Sequence, residues 1–413
     1  MDVLDTTKSQ ALFARAKDVI PGGIYGHYAG NNRRPAPRYF DHSEGAHFWD
    51  VDGNDYIDYM CAYGPMILGY NHPAVDAAAQ AQYKKGNTVS LAAPVIIELA
   101  ELMVDMVDAA EWALFGKNGG DSTGLAVRIA RAATGRSKIV KVQEGYHGVV
   151  PWMMASTESM QSKSGTVEED GAHILQVPWN DAAAFAGLIS QYKGEIACFI
   201  SSPYDHPVLR DNELPADGYW QQIEQLCRDN DIVLIVDEVR SGFRYNLAGT
   251  HVSYGFKPDM VCFGKGLGNG YPISALVGAD SLKQAATDVF YTGTQFFNAA
   301  PMAAAKATLE ELAKIDGPRV MTQLGNTLNE GLVNVAQQQG YELIASGIPA
   351  MPYYRLNNVP MDQHFKWVDE CVKRGIYLLG YHNHFLSTAH TEADIDKTLE
   401  IANEAFIALA EQA

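Results

Sequence analysis

Two strand ends carry the chemistry of this chain. The run Val261-Cys-Phe-Gly-Lys265-Gly-Leu-Gly-Asn-Gly270 ends an apolar strand at Phe263 and sets a lysine among glycines, with bare backbone around it and room for a flat ligand. Upstream, Ile232-Val-Leu-Ile-Val236 delivers Asp237-Glu238 in the same way. A free lysine amine titrates near ~10.4, and burial lowers it toward neutrality. It can then attack an aldehyde, form an imine, and later move a proton between two carbons. A buried carboxylate needs a cation, and a protonated pyridine nitrogen would serve. The pair reads as a Schiff base facing a cationic heterocycle. The plainer alternatives are an aspartate that caps the turn after its strand and a surface lysine in a glycine-rich turn. A nucleotide loop fits less well, because a dinucleotide fingerprint opens a helix and here the strand-like Ile273-Ser-Ala-Leu-Val277 follows.

Two further motifs supply what such a ring would need. Lys117-Asn-Gly-Gly-Asp-Ser-Thr123 precedes a helix predicted to run to about Thr134 and to stop at Gly135. Glycines at a helix start expose backbone N–H groups beside the positive end of the dipole, which suits a phosphate, and Ser122 or Thr123 could add a hydroxyl. The same residues also suit a simple N-cap. In Gly145-Tyr-His-Gly148, a tyrosine between glycines can stack on a flat ring, or can be an ordinary core aromatic.

The elements that must position these residues alternate. Ile139–Val142, Ala197–Ile200, Ile232–Val236, Met260–Phe263 and Ile273–Val277 read as buried strands with helical patterns between most of them, which predicts an α/β fold with a mainly parallel sheet covered by helices. Residues 8–20 read as an amphipathic helix stopped by Pro21-Gly-Gly23, and residues 46–60 as a hairpin around Asp52-Gly-Asn54. The C-terminal part, from about 310, begins and ends with a long helix. Ser156 to Gly171 is polar and without periodicity, a surface loop that is either a lid or plain solvated chain.

Composition removes several function classes. The chain has 413 residues, 47% apolar and 19% charged, enough for a large domain and a smaller one. A formal charge of −18 repels phosphate backbones and anionic lipid, so neither nucleic acid nor membrane is expected as a partner. The five cysteines, Cys61, Cys198, Cys227, Cys262 and Cys371, form no CxxC pair, which argues against a metal cluster or disulfide framework and for the cytoplasm. No apolar stretch at the N-terminus predicts a signal peptide, and none elsewhere reaches membrane-span length.

With these motifs in place, the sequence resembles the class III pyridoxal-phosphate aminotransferases, nearest the branch of glutamate-1-semialdehyde aminomutase and the aminoglycoside and sugar transaminases. The resemblance covers nearly the whole chain. It rests on Pro21-Gly-Gly23, Trp49-Asp-Val-Asp-Gly-Asn-Asp-Tyr-Ile-Asp58, Gly64-Pro-Met-Ile-Leu-Gly69, Lys117-Asn-Gly119, Tyr146-His-Gly148, Asp237-Glu-Val239, Lys265 and Thr388-Ala-His-Thr-Glu-Ala-Asp-Ile395. It implies fold-type I, with a large pyridoxal-phosphate domain over 71–310 and a smaller α/β domain built from both termini, 1–70 and 311–413. It implies a homodimer with shared active sites. Lys265 then matches the Schiff-base lysine and Asp237 the pyridinium partner. Val239 and Tyr146 match the residues on the two faces of the ring, and Gly119 and Gly120 the phosphate-loop amides. Thr294, in Thr292-Gly-Thr-Gln295, matches a threonine lent to the phosphate by the neighbouring subunit.

Departures from the family narrow the expected substrate. Where the aminomutase carries an arginine that clamps the substrate carboxylate, this chain has Ala29, which counts against glutamate-1-semialdehyde. Ser202-Pro203 replaces the family's Glu-Pro, and no arginine lies near Tyr381-His-Asn-His384 in the sequence. Neutral and aromatic residues stand instead: Tyr25, His27, Tyr63, Tyr204, His206, Tyr291, His382 and His384, some of which are expected to be core or interface residues. His382 and His384 are two ligands without a third, so no metal is expected. The expectation is a transaminase that passes an amino group from an amine or amino-acid donor to an uncharged polar or cyclic, aminosugar-like carbonyl. An aminomutase or racemase/epimerase on the same scaffold is the alternative, and a catalytically silent cofactor-binding protein is the reading from another class.

Overall fold

Val233–Asp237 is apolar until its last residue, and all five positions are buried. Ile196–Ser201, Met260–Phe263 and Ser274–Gly278 are likewise buried throughout. Strands without polar alternation belong in a sheet covered on both faces. The computed structural model, which describes residues 4–26, 28, 37–155 and 164–411, shows that sheet. Its seven strands are, in chain order, β1 (Trp112–Gly116), β2 (Lys138–Val142), β3 (Ile174–Val177), β4 (Ile196–Ser201), β5 (Val233–Asp237), β6 (Met260–Phe263) and β7 (Ser274–Gly278). They lie in the order β1-β7-β6-β5-β4-β2-β3. Neighbours from β6 to β3 are parallel, while β7 runs antiparallel to both β6 and β1. The mainly parallel α/β sheet expected from the sequence is therefore present.

Alternate residues of each strand feed opposite layers. On one face, α1 (Gly119–Thr134) sends Leu125 and Ile129 against Ile139, Cys198, Ile235 and Met260. On the other, α2 (Ala182–Gln191) and α3 (Tyr219–Asp229) send Phe185, Trp220 and Ile223 against Val140, Phe199 and Leu234. Each such fully buried apolar side chain contributes about 1.5–3 kcal/mol. The helix at the phosphate motif ends as expected, with Gly135 left-handed at φ 67°.

The chain divides into two compact units. One comprises Gly64–Ile67 and Pro73–Thr322, the other Met1–Tyr63, Leu68–His72 and Gln323–Ala413. The smaller unit takes up the chain at Gln323, later than the expected 311. The long helix expected from about 310 begins at Gly317 and runs to Gln338, because Ala299–Ile315 is a separate helix that ends in a left-handed Asp316. In the smaller unit, Phe40–Glu44, His47–Asp50 and Asp55–Asp58 form an antiparallel meander, joined in parallel by Ile376–Tyr377. The hairpin turn at Asp52-Gly-Asn54 is held by Asp50, which accepts the N–H groups of Asp52 at 3.0 Å and Asn54 at 2.9 Å. Three successive non-glycine residues, Cys61, Ala62 and Tyr63, are left-handed at φ 45°, 54° and 67°. Such strain persists only where surrounding groups fix it. Here the buried Asp58 accepts the Met60 N–H at 2.8 Å and the Tyr70 hydroxyl at 2.5 Å.

The polar stretch 156–171, expected as a loop, is described only from residue 164. Residues 156–163 lie outside the described residues, and the segment closes with a one-turn helix, Glu168–Gly171, whose Asp170 accepts the Val167 N–H. Among the described residues, no helix is long and apolar enough to cross a membrane.

Candidate active site

Asp237 and Lys265 leave neighbouring parallel strands at the same sheet edge, Asp237 being paired with Cys262. Ligands of open α/β sheets bind outside such carboxyl ends. The Asp237 carboxylate is buried and oriented from two sides. The Val239 N–H donates to Oδ1 at 2.9 Å, and His147 Nδ1 lies 2.7 Å from Oδ2. A carboxylate only accepts, so His147 carries its proton on Nδ1. His147 Nε2 is buried and has no hydrogen-bond partner among the described residues.

Lys265 sits in a left-handed conformation at φ 39°, a strained position for a side-chain-bearing residue. Its amine is brought down to about 7, by burial first and by Arg240 and Arg244, with Asp237 opposing. An amine that is substantially unprotonated at neutral pH is a nucleophile and a proton carrier.

Three glycines draw four segments together. A Cβ on Gly119 would lie 2.5 Å from Val239 Cγ1, and one on Gly264 would lie 3.3 Å from the same atom and 3.6 Å from Gly119 Cα. The helix start, the turn after β5 and the lysine turn therefore meet at Val239. Gly148, at φ 109°, approaches so closely that a Cβ there would meet Gly120 Cα at 2.8 Å. The Thr123 hydroxyl donates to the His147 carbonyl at 2.6 Å and ties the fourth segment in. The hydroxyls of Ser122 and Thr123 thus serve the protein itself, Ser122 donating to the Gly119 carbonyl at 2.8 Å. Asp121 accepts the N–H groups of Lys117 and Asn118 at 2.9 and 2.8 Å, which leaves the amides of Gly119 and Gly120 to open the helix without intrahelical acceptors. Gly119→Ala is expected to cost about 1–3 kcal/mol of stability. It should also weaken cofactor retention in dialysis by at least about tenfold, with partial recovery in Gly119→Ala/Val239→Ala.

This donor set fits pyridoxal phosphate. A buried amine near neutrality suits the aldehyde, and a buried carboxylate pinned by His147 suits the ring nitrogen. Two glycine amides at a helix start suit the phosphate. Val239 underlies the convergence of the turns, and Tyr146 leaves 44% of its surface exposed between its glycines.

The other sequence candidates separate. Tyr204 and His206 follow β4, with their rings edge to face at 5.2 Å. Tyr204 is fully buried, and its hydroxyl lies among Tyr254, Arg240, Arg244 and Glu238. Tyr291 packs its hydroxyl against Gly116, beside Asp121, at the base of the phosphate motif, which makes it a wall of that motif. Thr294 is exposed. Tyr25 is 74% exposed, and His27 and Ala29 lie outside the described residues. Within the smaller unit, Tyr63 sits edge-on to Tyr28 and His382. His384 is a core residue there: it stacks on Tyr354, accepts the Leu379 N–H at 3.4 Å, and burial lowers its pKa to about 3.

Sequence reasoning missed three residues. His147 stood inside a quoted motif without a role, although it lies 90 positions from the aspartate it orients. Arg240, directly after Val239, donates to His206 at Nδ1 and at the carbonyl, both at 3.0 Å. Arg244 is fully buried and donates to the Gly64 carbonyl. The surroundings of Lys265 are therefore not wholly neutral. The signal was present in Asp-Glu-Val-Arg, a cluster of charges on the turn that follows a buried strand.

Comparison with known proteins agrees with this geometry. The family model for class-III aminotransferases matches residues 28–406. A Sphingopyxis macrogoltabida protein named aminopentol aminotransferase is 38% identical over 405 residues, covering 98% of this chain and 94% of its own. The 3-aminobutyryl-CoA aminotransferase of Cloacimonas acidaminovorans is 32% identical over 409 residues, covering 97% of each. Among solved structures, the pyridoxal-phosphate internal aldimine form of the FumI protein of Sphingopyxis sp. MTA144 superposes with a TM-score of 0.94 at 38% identity, covering 98% of this chain and 97% of that one.

Proposed function

The chain belongs to the class-III aminotransferases and works with pyridoxal phosphate, and from that premise we propose that it transfers an amino group between an uncharged, polar or cyclic amine and a carbonyl acceptor. Bound, the cofactor supplies an electron sink for charge that develops beside the transferred nitrogen. Lys265 would hold the aldehyde group, and its amine, when free, would be placed to take the proton from the amine-bearing carbon and return it on the far side of the transferred nitrogen. Asp237 keeps the ring nitrogen protonated, and His147 with the Val239 N–H keeps Asp237 in place. Gly119 and Gly120 hold the phosphate, and Val239 and Tyr146 confine the ring.

The substrate reading is carried by one observation, the alanine at position 29 in place of a carboxylate-clamping arginine. It has support from the relative whose name makes an aminopentol its substrate. We assign Tyr25, His27, Tyr63 and His382 to substrate recognition and leave the buried Tyr204 and His384 to the core. A donor panel tests the reading. Amino polyols and aminosugars should discharge the visible absorbance of the holoprotein, and glutamate-1-semialdehyde should give no isomerised product in the absence of an acceptor. Rearrangement of a single substrate without an acceptor would instead make the enzyme an aminomutase.

The enzyme is read as a homodimer with shared sites. Val89, Leu91, Phe290 and Phe297 are exposed in the large unit, Leu91 by 80% and Phe290 by 78%. The Ala299 N–H to Asn87 carbonyl bond and the Thr88 hydroxyl to Asn298 bond, at 3.0 and 2.9 Å, join the two segments that carry them. Apolar exposure of this kind marks an association face. Thr294 lies exposed in that segment and is read as the residue lent to a partner's phosphate. All five cysteines are buried and none is in a disulfide among the described residues, which supports a reducing cytoplasm.

A further inference from the structure

Three neighbouring residues of the smaller unit are held where side chains rarely sit, and one carboxylate holds them. Cys61, Ala62 and Tyr63 are all left-handed, and each such position is uphill for a residue with a side chain. Asp58, only 2% exposed, faces this turn. Its Oδ1 accepts the Met60 N–H at 2.8 Å and its Oδ2 the Tyr70 hydroxyl at 2.5 Å. The N–H groups of Cys61 and Ala62 donate to it as well. Hydrogen bonds to a charged acceptor are roughly twice as strong as those to a neutral one.

The turn ends in Tyr63, and Tyr63 sets a second ring. Tyr28 stands edge-on to it, with centroids 5.5 Å apart and planes at 89°. Tyr63 keeps 6% of its surface open, whereas Tyr28 keeps 42%. Tyr28 directly precedes Ala29, the alanine that stands in place of a carboxylate-clamping arginine. An exposed phenol ring offers an apolar face to C–H groups and a hydroxyl to alcohols, which is the chemistry of a polyol chain. We propose that Tyr28 is a specificity-determining residue for the polar chain of the amine, and that Asp58 is a positioning residue that aims it through the Met60–Tyr63 turn. The proposal rests on the reading of the amine as polar and uncharged.

Protonation of Asp58 gives the arrangement a pH dependence. Burial pushes the carboxyl up to about 6, and the hydrogen bonds from Tyr70 and the three amides oppose that rise. The held turn therefore has a lower pKa than the same buried carboxyl with the turn released, so a proton favours release. The Tyr70 hydroxyl can turn from donor to acceptor, but the three N–H groups can only donate. Recognition should weaken as pH falls through about 6. Global stability moves the other way. A carboxyl raised from 3.8 to about 6 on folding contributes stability that is complete below 3.8 and lost as pH rises through about 6. The other titratable groups facing Asp58 stay neutral across this range. Burial pushes the phenols of Tyr70 and Tyr28 up, and it lowers His390, whose ring approaches the Asp58 carbonyl, to about 4. The Cys61 thiol donates to the same carbonyl at 3.4 Å.

The experiment follows the discharge of the holoprotein's visible absorbance by glucamine, an amino polyol, and reads limiting rate and apparent KM between about pH 5 and 8. Ratios of variant to wild type at each pH cancel the protonation of glucamine itself. Asp58→Asn is the isostere of the protonated carboxyl. Its KM should be about tenfold above wild type at about pH 8 and within about twofold of it at about pH 5, with the limiting rate unchanged throughout. Tyr70→Phe removes a bond that lowers the pKa. Its KM should match wild type at about pH 8 and exceed it by about two- to threefold near pH 6.5, which carries the test if Asp58→Asn does not fold. Tyr28→Ala should raise KM by about tenfold at about pH 8, and adding Asp58→Asn to it should change KM by less than about twofold, since the carboxylate acts through that ring. Multiplicative effects in the double variant, or a ratio of Asp58→Asn to wild type that is constant with pH, would make Asp58 structural and overturn the proposal. An unchanged KM in Tyr28→Ala would overturn it too. A wild-type holoprotein that glucamine does not discharge is a different pattern: it would sink the substrate reading and this proposal with it.

Discussion

Lys265→Ala should lower turnover by about four orders of magnitude or more, because it removes both the tether and the proton carrier. The loss should be chemical rather than structural. The backbone is left-handed at φ 39° between glycines, a strain that alanine would inherit unchanged, and the thermal transition should stay within a few degrees of wild type. A second readout separates nucleophile from scaffold. With its amine brought to about 7 by burial, the cofactor-free protein should capture pyridoxal phosphate covalently at a rate that rises with pH through about 7 and then levels. The sign follows from the need for an unprotonated amine. The variant should take up the cofactor reversibly, with no such pH dependence. Turnover within tenfold of wild type would end the assignment.

Asp237→Asn is expected to cost about two to four orders of magnitude in kcat, the range of a lost charge placed against the reacting system. The asparagine is isosteric, and its oxygen can still accept the Val239 N–H that the aspartate accepts at 2.9 Å. What disappears is the negative charge that favours a protonated ring nitrogen. The variant should therefore remain coloured and folded, with the cofactor held by Lys265 and the glycine amides, while substrate amines discharge the colour slowly. A colourless Asp237→Asn protein would mean that the aspartate serves cofactor binding or folding first. Normal kcat would mean that the ring nitrogen is held elsewhere.

These effects were legible in the sequence to an uneven degree. Strands β2, β4, β5, β6 and β7 announce themselves because each is a short apolar run bounded by polar or glycine residues. β1 and β3 do not: β1 is half-buried at Ala113 and Leu114, and β3 is an edge strand buried only at Val177. Lys265 and Asp237 were readable because chemistry and strand end coincide within a few residues. The pairs that tune them were not. His147 with Asp237 and Arg240 with His206 join residues 90 and 34 positions apart, and β4 lies between the strands that deliver the first pair. Only the order of strands in the sheet makes them neighbours. The aromatic candidates could not be sorted in this way: tyrosine and histidine are as common in cores as in pockets, so composition could not place His384 against Tyr354 inside the smaller unit.

The burial of all five thiols has a practical use. Cys61 and Cys371 belong to the smaller unit, and Cys198, Cys227 and Cys262 to the larger. Burial pushes the thiols of Cys198, Cys227, Cys262 and Cys371 upward, so in the native protein they are both covered and protonated. Alkylation of each therefore waits for an opening of its own surroundings. The chain carries, without any engineering, a separate chemical clock in each of its two halves.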